Sequence, residues 1–176
     1  MAYQDSFSFR LEILRDELGR SQNRIENYDN LIFRIKGWAI TLWLGTLWFA
    51  LKENLPLLLI ATIPVLISFW LIETQYKRYQ QRHIVRIRHI EKFLNTTEDK
   101  EQPNIDKSFE DRSIKGFLVC DPIGVQTYEN DPTFKNLFDK YVSFKRCFWL
   151  KSVTSLYLSL ITLSACVAIG MYVWTQ

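Results

Sequence analysis

The chain has 176 residues, of which 22 are Lys or Arg and 19 are Asp or Glu, and 48% of the residues are hydrophobic. The net charge of +3 is too small to indicate a nucleic-acid partner, and three cysteines without a close pair predict neither a disulfide framework nor a metal site. The apolar residues are concentrated in two blocks, Gly37–Ile72 and Val153–Trp174. This distribution predicts an all-α integral membrane protein.

Residues 37–73 are predicted to form a transmembrane helical hairpin. Two apolar runs are separated by Lys52, Glu53 and Asn54, and Pro56 suits the first turn of the second helix. A re-entrant loop or one long buried helix would give a similar pattern, but the charges and the Asn favour a polar turn. Residues 153–174 carry no charge and are long enough to cross the ~30 Å hydrocarbon core, so they predict a third, C-terminal transmembrane helix.

Cations are distributed unevenly around these predicted spans. The tail before the first span carries six Lys or Arg and the segment Thr74–Ser152 carries 15, whereas the predicted turn carries one. By the positive-inside rule, the N-terminus and the central region are cytoplasmic. Three spans then place the C-terminus outside, in a multi-pass protein of the plasma membrane.

Residues 1–36 predict a cytoplasmic helix with a coiled-coil seam. Apolar residues recur at alternating spacings of four and three from Phe7 to Ile35, with Ser21 as the single polar exception. The same register continues into the first span, so one continuous helix is expected. The candidate seam residues are Leu11, Leu14, Leu18, Ile25 and Ile32, and the continued register gives Ala39, Leu42, Thr46 and Phe49.

Residues 74–95 predict a second, basic cytoplasmic helix that extends the second span. The apolar face of this helix is predicted to consist of Ile72, Tyr76, Tyr79, His83, Ile87, Ile90 and Leu94. Because a short turn joins the two spans, their extensions should run antiparallel and cover each other, although a seam shared between protomers would give the same pattern.

The remaining cytoplasmic part is predicted to be a loop followed by a helix. Residues 96–131 are acidic and poor in large apolar side chains, which is typical of a solvated loop. Residues 132–152 predict a helix that Asp131 caps and that leads into the third span.

Cations of the basic helix are candidate contacts for anions or lipid headgroups. On a helix they cover more than one face, and three interpretations compete: anionic lipid headgroups, the acidic loop folding back, or an anionic regulator such as a nucleotide. The candidate residues are Lys77, Arg78, Arg82 and Arg86.

Hydroxyl side chains interrupt the apolar spans. Such residues permit close helix packing, and in an oligomer they can also line a wet pore. Apart from the turn, the apolar runs of the spans contain no ionisable residue, which argues against a proton-coupled or ion-coupled transporter that needs a charge at the membrane midplane. The candidate pore or packing residues are Thr41, Thr46, Ser155 and Ser159.

The sequence carries no signature of catalysis. It contains no phosphate-binding loop, dinucleotide fingerprint, zinc-protease helix or nucleophile elbow. His83 and His89 have no cluster of cysteines or carboxylates nearby, so no metal is predicted. We therefore expect a protein that is not an enzyme, without catalytic residues or a cofactor.

Two segments resemble a known family. The sequences RIKGWAITL (Arg34–Leu42) and FWLIETQYKRYQQRHIVRIRHIEKF (Phe69–Phe93) are similar to small bacterial SLATT-like transmembrane effectors of antiphage defence. The resemblance covers roughly residues 20–95; the third span and the acidic insert depart from a plain two-span effector. It implies permeabilisation of the bacterial inner membrane when a linked sensor protein or nucleotide signal activates the effector, and it transfers no catalytic residue.

Together these features predict a membrane-embedded, homo-oligomeric effector of a bacterial antiviral system that disrupts the inner membrane. The expected partners are the lipid bilayer and further copies of the chain. The alternative is a non-catalytic membrane anchor or scaffold subunit.

Overall fold

A computed structural model of the protein describes residues 6–95, 136 and 139–174. Helix α1 comprises Ser6–Glu53, α2 Pro56–Asn95, α3 Phe144–Phe148 and α4 Lys151–Trp174. The described residues contain no strand. The predicted all-α class is therefore confirmed, and α1 and α2 are each continuous from the charged segment into the apolar one.

A tight connection joins α1 to α2. Asn54 adopts a left-handed backbone conformation with φ 53°, which Asn tolerates better than most residues. The Leu55 N–H donates to the carbonyl of Ala50 at 2.9 Å, a six-to-one bond that ends a helix in a Schellman motif. Pro56 then opens α2, in the position predicted from its fixed φ and missing N–H.

The chain divides into two compact units. Unit 1 comprises Met1–Asn27 and Gln80–Tyr141, and unit 2 comprises Tyr28–Tyr79 and Val142–Gln176. The predicted acidic loop, residues 96–131, and the predicted start of the following helix at Asp131 lie outside the described residues.

Unit 1 has an apolar core between α1 and α2. Its buried members are Phe7, Leu14, Ile90 and Phe93, and the half-buried Leu11 and Leu18 pack against them. Three of the predicted seam residues, Leu11, Leu14 and Leu18, therefore belong to a core that includes side chains of the second helix of the same chain.

Polar residues are also buried in unit 1. Arg86 and Glu17 form a bidentate ion pair, with Nε to Oε1 at 2.6 Å and NH2 to Oε2 at 2.9 Å. The Gln80 side-chain amide donates to the carbonyl of Ile25 at 3.3 Å. These partners lower the free-energy cost of burying polar groups, because the buried donor of Gln80 and the buried charges of Arg86 and Glu17 are paired.

The predicted apolar face of the basic helix is therefore wrong in part. Tyr79 and Leu94 are exposed, whereas the polar Gln80 and Arg86 are buried. The prediction of the buried face of α2 used only the spacing of its apolar residues. The fold instead buries those polar side chains of α2 that find partners on α1.

Unit 2 brings three helices together. One core joins side chains of α1, α2 and α4, and a second, smaller core joins the same three helices nearer the α1–α2 connection. The first consists of Ala39, Trp43, Leu66, Trp70, Val153, Tyr157 and Leu160, and the second of Ala50, Leu59 and Ala168.

The buried register of α1 shifts by one residue within unit 2. The heptad predicted Leu42 and Phe49 at the core, but these are exposed, and Trp43 and Ala50 are buried instead. A heptad repeats every 3.5 residues per turn, whereas a straight helix has 3.6, so a fixed seam drifts by about 20° per heptad. Over several heptads the drift approaches the 100° that separates neighbouring residues.

Two helices are long and apolar enough to cross a membrane. They are α2, over Pro56–Leu94, and α4, over Lys151–Trp174. Only 33% and 22% of their most apolar 18-residue windows are buried within the protein. A core helix of a soluble protein would be mostly buried, so these outward apolar surfaces indicate membrane association.

The segment before α4 is not the continuous helix that was predicted. Ser143 is not helical, α3 is only five residues long, and the helix ends again at Trp149 and Leu150. The indole of Trp70 donates to the carbonyl of Phe148 at 3.3 Å, and Thr154 Oγ1 donates to the same carbonyl at 2.8 Å. These bonds use a carbonyl at the end of α3.

The core of unit 1 makes a direct prediction. We expect Leu14→Asp to lower the free energy of unfolding by at least about 3 kcal/mol, because it removes packing and buries a charge. The matched control Leu94→Asp, on the exposed side of α2, should change it by no more than about 0.5 kcal/mol. Denaturant titration followed by circular dichroism measures both, and equal effects would show that Leu14 is not in a core.

Candidate functional site

A buried carboxylate lies where the apolar part of α2 ends. Glu73 has no exposed surface, and Thr74 beside it is also fully buried. An ionised carboxylate in such surroundings costs several kcal/mol unless it is paired and hydrogen-bonded. The partners of Glu73 therefore define the site.

Two helices supply those partners. Lys36 Nζ of α1 lies 3.3 Å from Glu73 Oε1, and the Tyr157 hydroxyl of α4 donates to Glu73 Oε2 at 2.9 Å. Lys36 Nζ also donates to the carbonyl of Ser152 at 2.7 Å. We call Lys36, Glu73 and Tyr157 the polar clasp, because it joins α1, α2 and α4 through one carboxylate.

Helical spacing places the polar clasp on the core faces. Lys36 precedes the buried Ala39 by three residues, and Glu73 follows the buried Trp70 by three, so each shares a face with a core residue. Tyr157 is itself a member of the core. The three polar groups therefore meet at the edge of the apolar packing.

The two charges of the polar clasp differ in their access to solvent. The side chain of Lys36 is 27% exposed, whereas that of Glu73 is 0% exposed. Within the described residues, Glu73 Oε1 receives no hydrogen bond, so its contact with Lys36 is an ion pair. A long Lys side chain can carry its ammonium group to water, but a buried carboxylate cannot follow.

An aromatic stack adjoins the polar clasp. The Trp70 ring is stacked on Phe148 with centroids 4.2 Å apart, and on Tyr157 with centroids 6.1 Å apart. Such pairs contribute about 0.5–1.5 kcal/mol beyond the area they bury. Trp70 therefore packs against the same ring whose hydroxyl donates to Glu73.

A second polar contact joins α1 to α4 deeper in the apolar segment. The indole N–H of Trp43 donates to Ser164 Oγ at 2.7 Å, and that hydroxyl donates to the carbonyl of Leu160 at 2.8 Å. Both side chains are buried. The contact satisfies the indole donor where no water would do so.

The arrangement is suited to holding α1, α2 and α4 together. Lys36 supplies an opposite charge and Tyr157 a hydrogen bond to the Glu73 carboxylate. Within the described residues, no group of three His, Cys, Asp or Glu side chains could hold a metal ion. Burial raises the pKa of the Cys147 thiol, although Arg78 partly offsets this effect. The thiol is therefore protonated at neutral pH and a poor nucleophile.

The predicted headgroup residues of α2 have partners inside the protein. Lys77 Nζ lies 4.0 Å from Asp29 Oδ1, and Arg78 Nε donates to the carbonyl of Val142 at 3.1 Å. Arg86 is buried in its pair with Glu17, which removes it from the candidate headgroup contacts.

The other candidate of this group, Arg82, is half-buried, with its Nε enclosed. Its neighbour His83 lies beyond the apolar segment of α2. Burial, followed by the charges of Arg24 and Arg82, lowers the pKa of His83, so the imidazole is uncharged at neutral pH.

The four predicted hydroxyl residues do not share one environment. Thr41, Ser155 and Ser159 are exposed on the protein surface, whereas Thr46 is half-buried. The hydroxyls of Thr46 and Ser159 donate to carbonyls four residues earlier in their own helices, at 2.7 Å each.

The other seam candidates, Ile25 and Ile32, are half-buried and buried respectively.

No protein-family model, curated protein or solved structure matches the chain.

Sequence reasoning missed the polar clasp. Lys36 and Glu73 lie at the ends of apolar runs, where charges are expected on any membrane protein, and Tyr157 resembles an ordinary span residue. One signal was present: Glu73 is the only acid between Glu53 and Glu91, in a segment rich in cations. Glu73 pairs with Lys36, 37 positions before it, and with Tyr157, 84 positions after it, and these pairings follow only from the fold.

Because Lys36 is partly exposed and Glu73 is not, we expect substitutions at these two residues to lower the free energy of unfolding by different amounts. Lys36→Met leaves Glu73 as an unpaired buried charge, so we expect a loss of about 3–5 kcal/mol in the free energy of unfolding. Glu73→Gln leaves Lys36 able to reach water and keeps an acceptor for Tyr157, so the loss should be about 1–2 kcal/mol. Titration of the detergent-solubilised protein with dodecyl sulfate, followed by circular dichroism, measures both.

The double variant is the control for this prediction. Lys36→Met combined with Glu73→Gln should be more stable than Lys36→Met alone, because no buried charge is then left unpaired. Additive losses, or a larger loss for Glu73→Gln than for Lys36→Met, would show that the ion pair does not hold the helices.

Proposed function

We propose that the protein is a membrane-embedded, non-enzymatic effector whose oligomers permeabilise the bacterial inner membrane. Activation by a linked sensor, in a system of antiviral defence, follows from the resemblance to SLATT-like effectors. In this proposal α1, α2 and α4 all cross the bilayer, with α1 and α2 as a hairpin and the N-terminus in the cytoplasm.

The course of α1 beside α4 supports three spans. Lys36 contacts Ser152, Trp43 contacts Ser164, and the smaller core includes both Ala50 and Ala168. The contacts advance in the same direction along both helices, so α1 and α4 run parallel. From residue 36 to residue 50 α1 rises about 21 Å, which is some two thirds of the hydrocarbon thickness.

The single observation that carries permeabilisation is the outer face of α4. Ser155, Ser159 and Thr162 are all exposed, at spacings of four and three residues, and so form one stripe along the helix. The buried residues of α4, among them Tyr157 and Ser164, lie on the opposite face. Lipid offers no partner to a hydroxyl stripe, whereas a neighbouring helix or water does.

The stripe retains capacity for hydrogen bonding. Ser159 and Thr162 donate their hydroxyl hydrogens to carbonyls of their own helix, at 2.7 and 2.8 Å. Each hydroxyl oxygen can still accept a hydrogen bond from water. Several copies of α4 around an axis would then present a polar lining that one copy cannot enclose.

A second surface suits the contact between copies. Gly37, Thr41 and Gly45 are four residues apart on α1 and exposed, and a side chain added at either glycine would meet nothing within 4 Å. Small residues at this spacing allow close approach of helices in membranes. Thr41 then belongs to a packing face, whereas the half-buried Thr46 lies toward the core.

A non-catalytic anchor or scaffold is the alternative function. One observation favours it: the hydroxyls of Thr46, Ser159 and Thr162 are satisfied within their own helices. A static anchor exposing such groups to lipid would leave no donor unpaired.

Membrane potential separates the two functions. On activation in cells, the effector should depolarise the membrane, as measured with a potential-sensitive dye, and the anchor should not. We expect Ser155→Ala with Ser159→Ala to slow depolarisation about tenfold, because two hydrogen bonds of roughly 0.5–1 kcal/mol to permeating water or ions are lost.

The matched control is Ser68→Ala. Ser68 is an exposed hydroxyl of α2 that bonds the Pro64 carbonyl of its own helix, and it does not belong to the stripe of α4. Its loss should leave the rate unchanged. An intact potential in cells that the complete system protects would refute permeabilisation, and equal rates for all variants would refute the stripe as the lining.

A further inference from the structure

Unit 2 has exposed cations near the polar clasp. The bond from Lys36 to the carbonyl of Ser152 places the start of α4 beside that position of α1. Arg34 lies two residues before Lys36, Lys151 lies immediately before Ser152, and both cations are exposed. They therefore lie close to the level at which the apolar segments of α1 and α4 begin.

The segment that leads into α4 extends this positive surface. Residues 143–152, SFKRCFWLKS, contain three cations and no acid. Lys145 is exposed on α3, and the helix ends after it at Trp149, whose side chain is 60% exposed. The break between α3 and α4 thus leaves both a cation and an indole at the surface.

Few acids oppose these charges. In sequence, residues 28–79 and 142–176 hold only three acids: Asp29, Glu53 and Glu73. Glu73 is neutralised inside the polar clasp, Asp29 lies beside Lys77, and Glu53 lies beside Lys52. The exposed cations near the clasp are therefore not compensated by exposed acids supplied by the same unit.

Two exposed indoles accompany the cations. Trp38, one turn after Arg34 on α1, is 71% exposed, and Trp149 is 60% exposed. An indole is amphipathic and favours the boundary between hydrocarbon and headgroups. A soluble anion would explain the cations but not this pair of exposed aromatic rings beside them.

We propose that Arg34, Lys145, Lys151, Trp38 and Trp149 form a cationic belt that binds the headgroups of anionic phospholipids. The belt replaces the predicted contacts at Lys77 and Arg78, which are bonded within the protein. It rests only on the membrane location in the proposed function, and not on permeabilisation. It fixes which end of unit 2 faces an anionic leaflet.

The charge of the belt can be removed while the core is left intact. We expect the triple variant Arg34→Gln, Lys145→Gln, Lys151→Gln to bind phosphatidylglycerol up to about 100-fold more weakly, from the usual contribution of each cation near an anionic surface. The full-length protein in neutral detergent is titrated with phosphatidylglycerol or phosphatidylcholine in mixed micelles. Native mass spectrometry counts the retained lipids, and circular dichroism verifies folding.

A matched variant removes three exposed cations elsewhere. Arg10→Gln, Arg15→Gln, Arg24→Gln changes the net charge equally in unit 1, and it should retain the wild-type preference for phosphatidylglycerol. The charge-conserving variant Arg34→Lys, Lys145→Arg, Lys151→Arg should also retain it. If the belt variant misfolds, the charge-conserving variant and the preference of the wild type for phosphatidylglycerol over phosphatidylcholine still test the belt.

Three results would overturn the belt. They are equal retention of the two lipids by wild type, equal loss in both triple variants, and displacement of phosphatidylglycerol by soluble glycerol 3-phosphate at the same concentration, which would indicate a site for free phosphate. A separate flotation measurement tests the membrane location: failure of the full-length protein to insert into vesicles of either lipid would contradict that location, and with it the proposed function.

Discussion

The structure depends on neutralising one carboxylate. Glu73 is fully enclosed on α2, and a buried carboxylate without a partner would cost more than most single contacts supply. Lys36 and Tyr157 provide the opposite charge and the hydrogen bond, and each comes from a different helix. Alignment of α1, α2 and α4 is therefore required by electrostatics, and the apolar packing around Trp70 is consistent with the same alignment.

This alignment is most important for α1. Its apolar run is short and α1 is not among the helices apolar enough to cross a membrane on their own. Contacts of Lys36 and Trp43 with α4 nevertheless keep it beside a helix that is long and apolar enough to cross. We propose that α1 spans as part of a bundle, with the polar clasp at the cytoplasmic boundary.

The sequence allowed the helices, their continuity and the connection at Pro56 to be predicted, because these follow from local apolar periodicity and turn chemistry. It did not allow the buried face of α2 to be predicted, since Gln80 and Arg86 are buried only because distant partners satisfy them. Nor did it predict the break between α3 and α4, where the carbonyl of Phe148 bonds the distant Trp70. Contacts between residues far apart in sequence depend on the fold, and the local spacing of apolar residues does not predict them.

The positions of the two termini distinguish three spans held together by the polar clasp from two spans. A fluorescent protein that matures only in the cytoplasm is fused before Met1, and a phosphatase that is active only outside the membrane is fused after Gln176. Three spans predict that both reporters are active, because the termini then lie on opposite sides. Termini on the same side would mean that only α2 and α4 cross, and would rule out α1 as a third span.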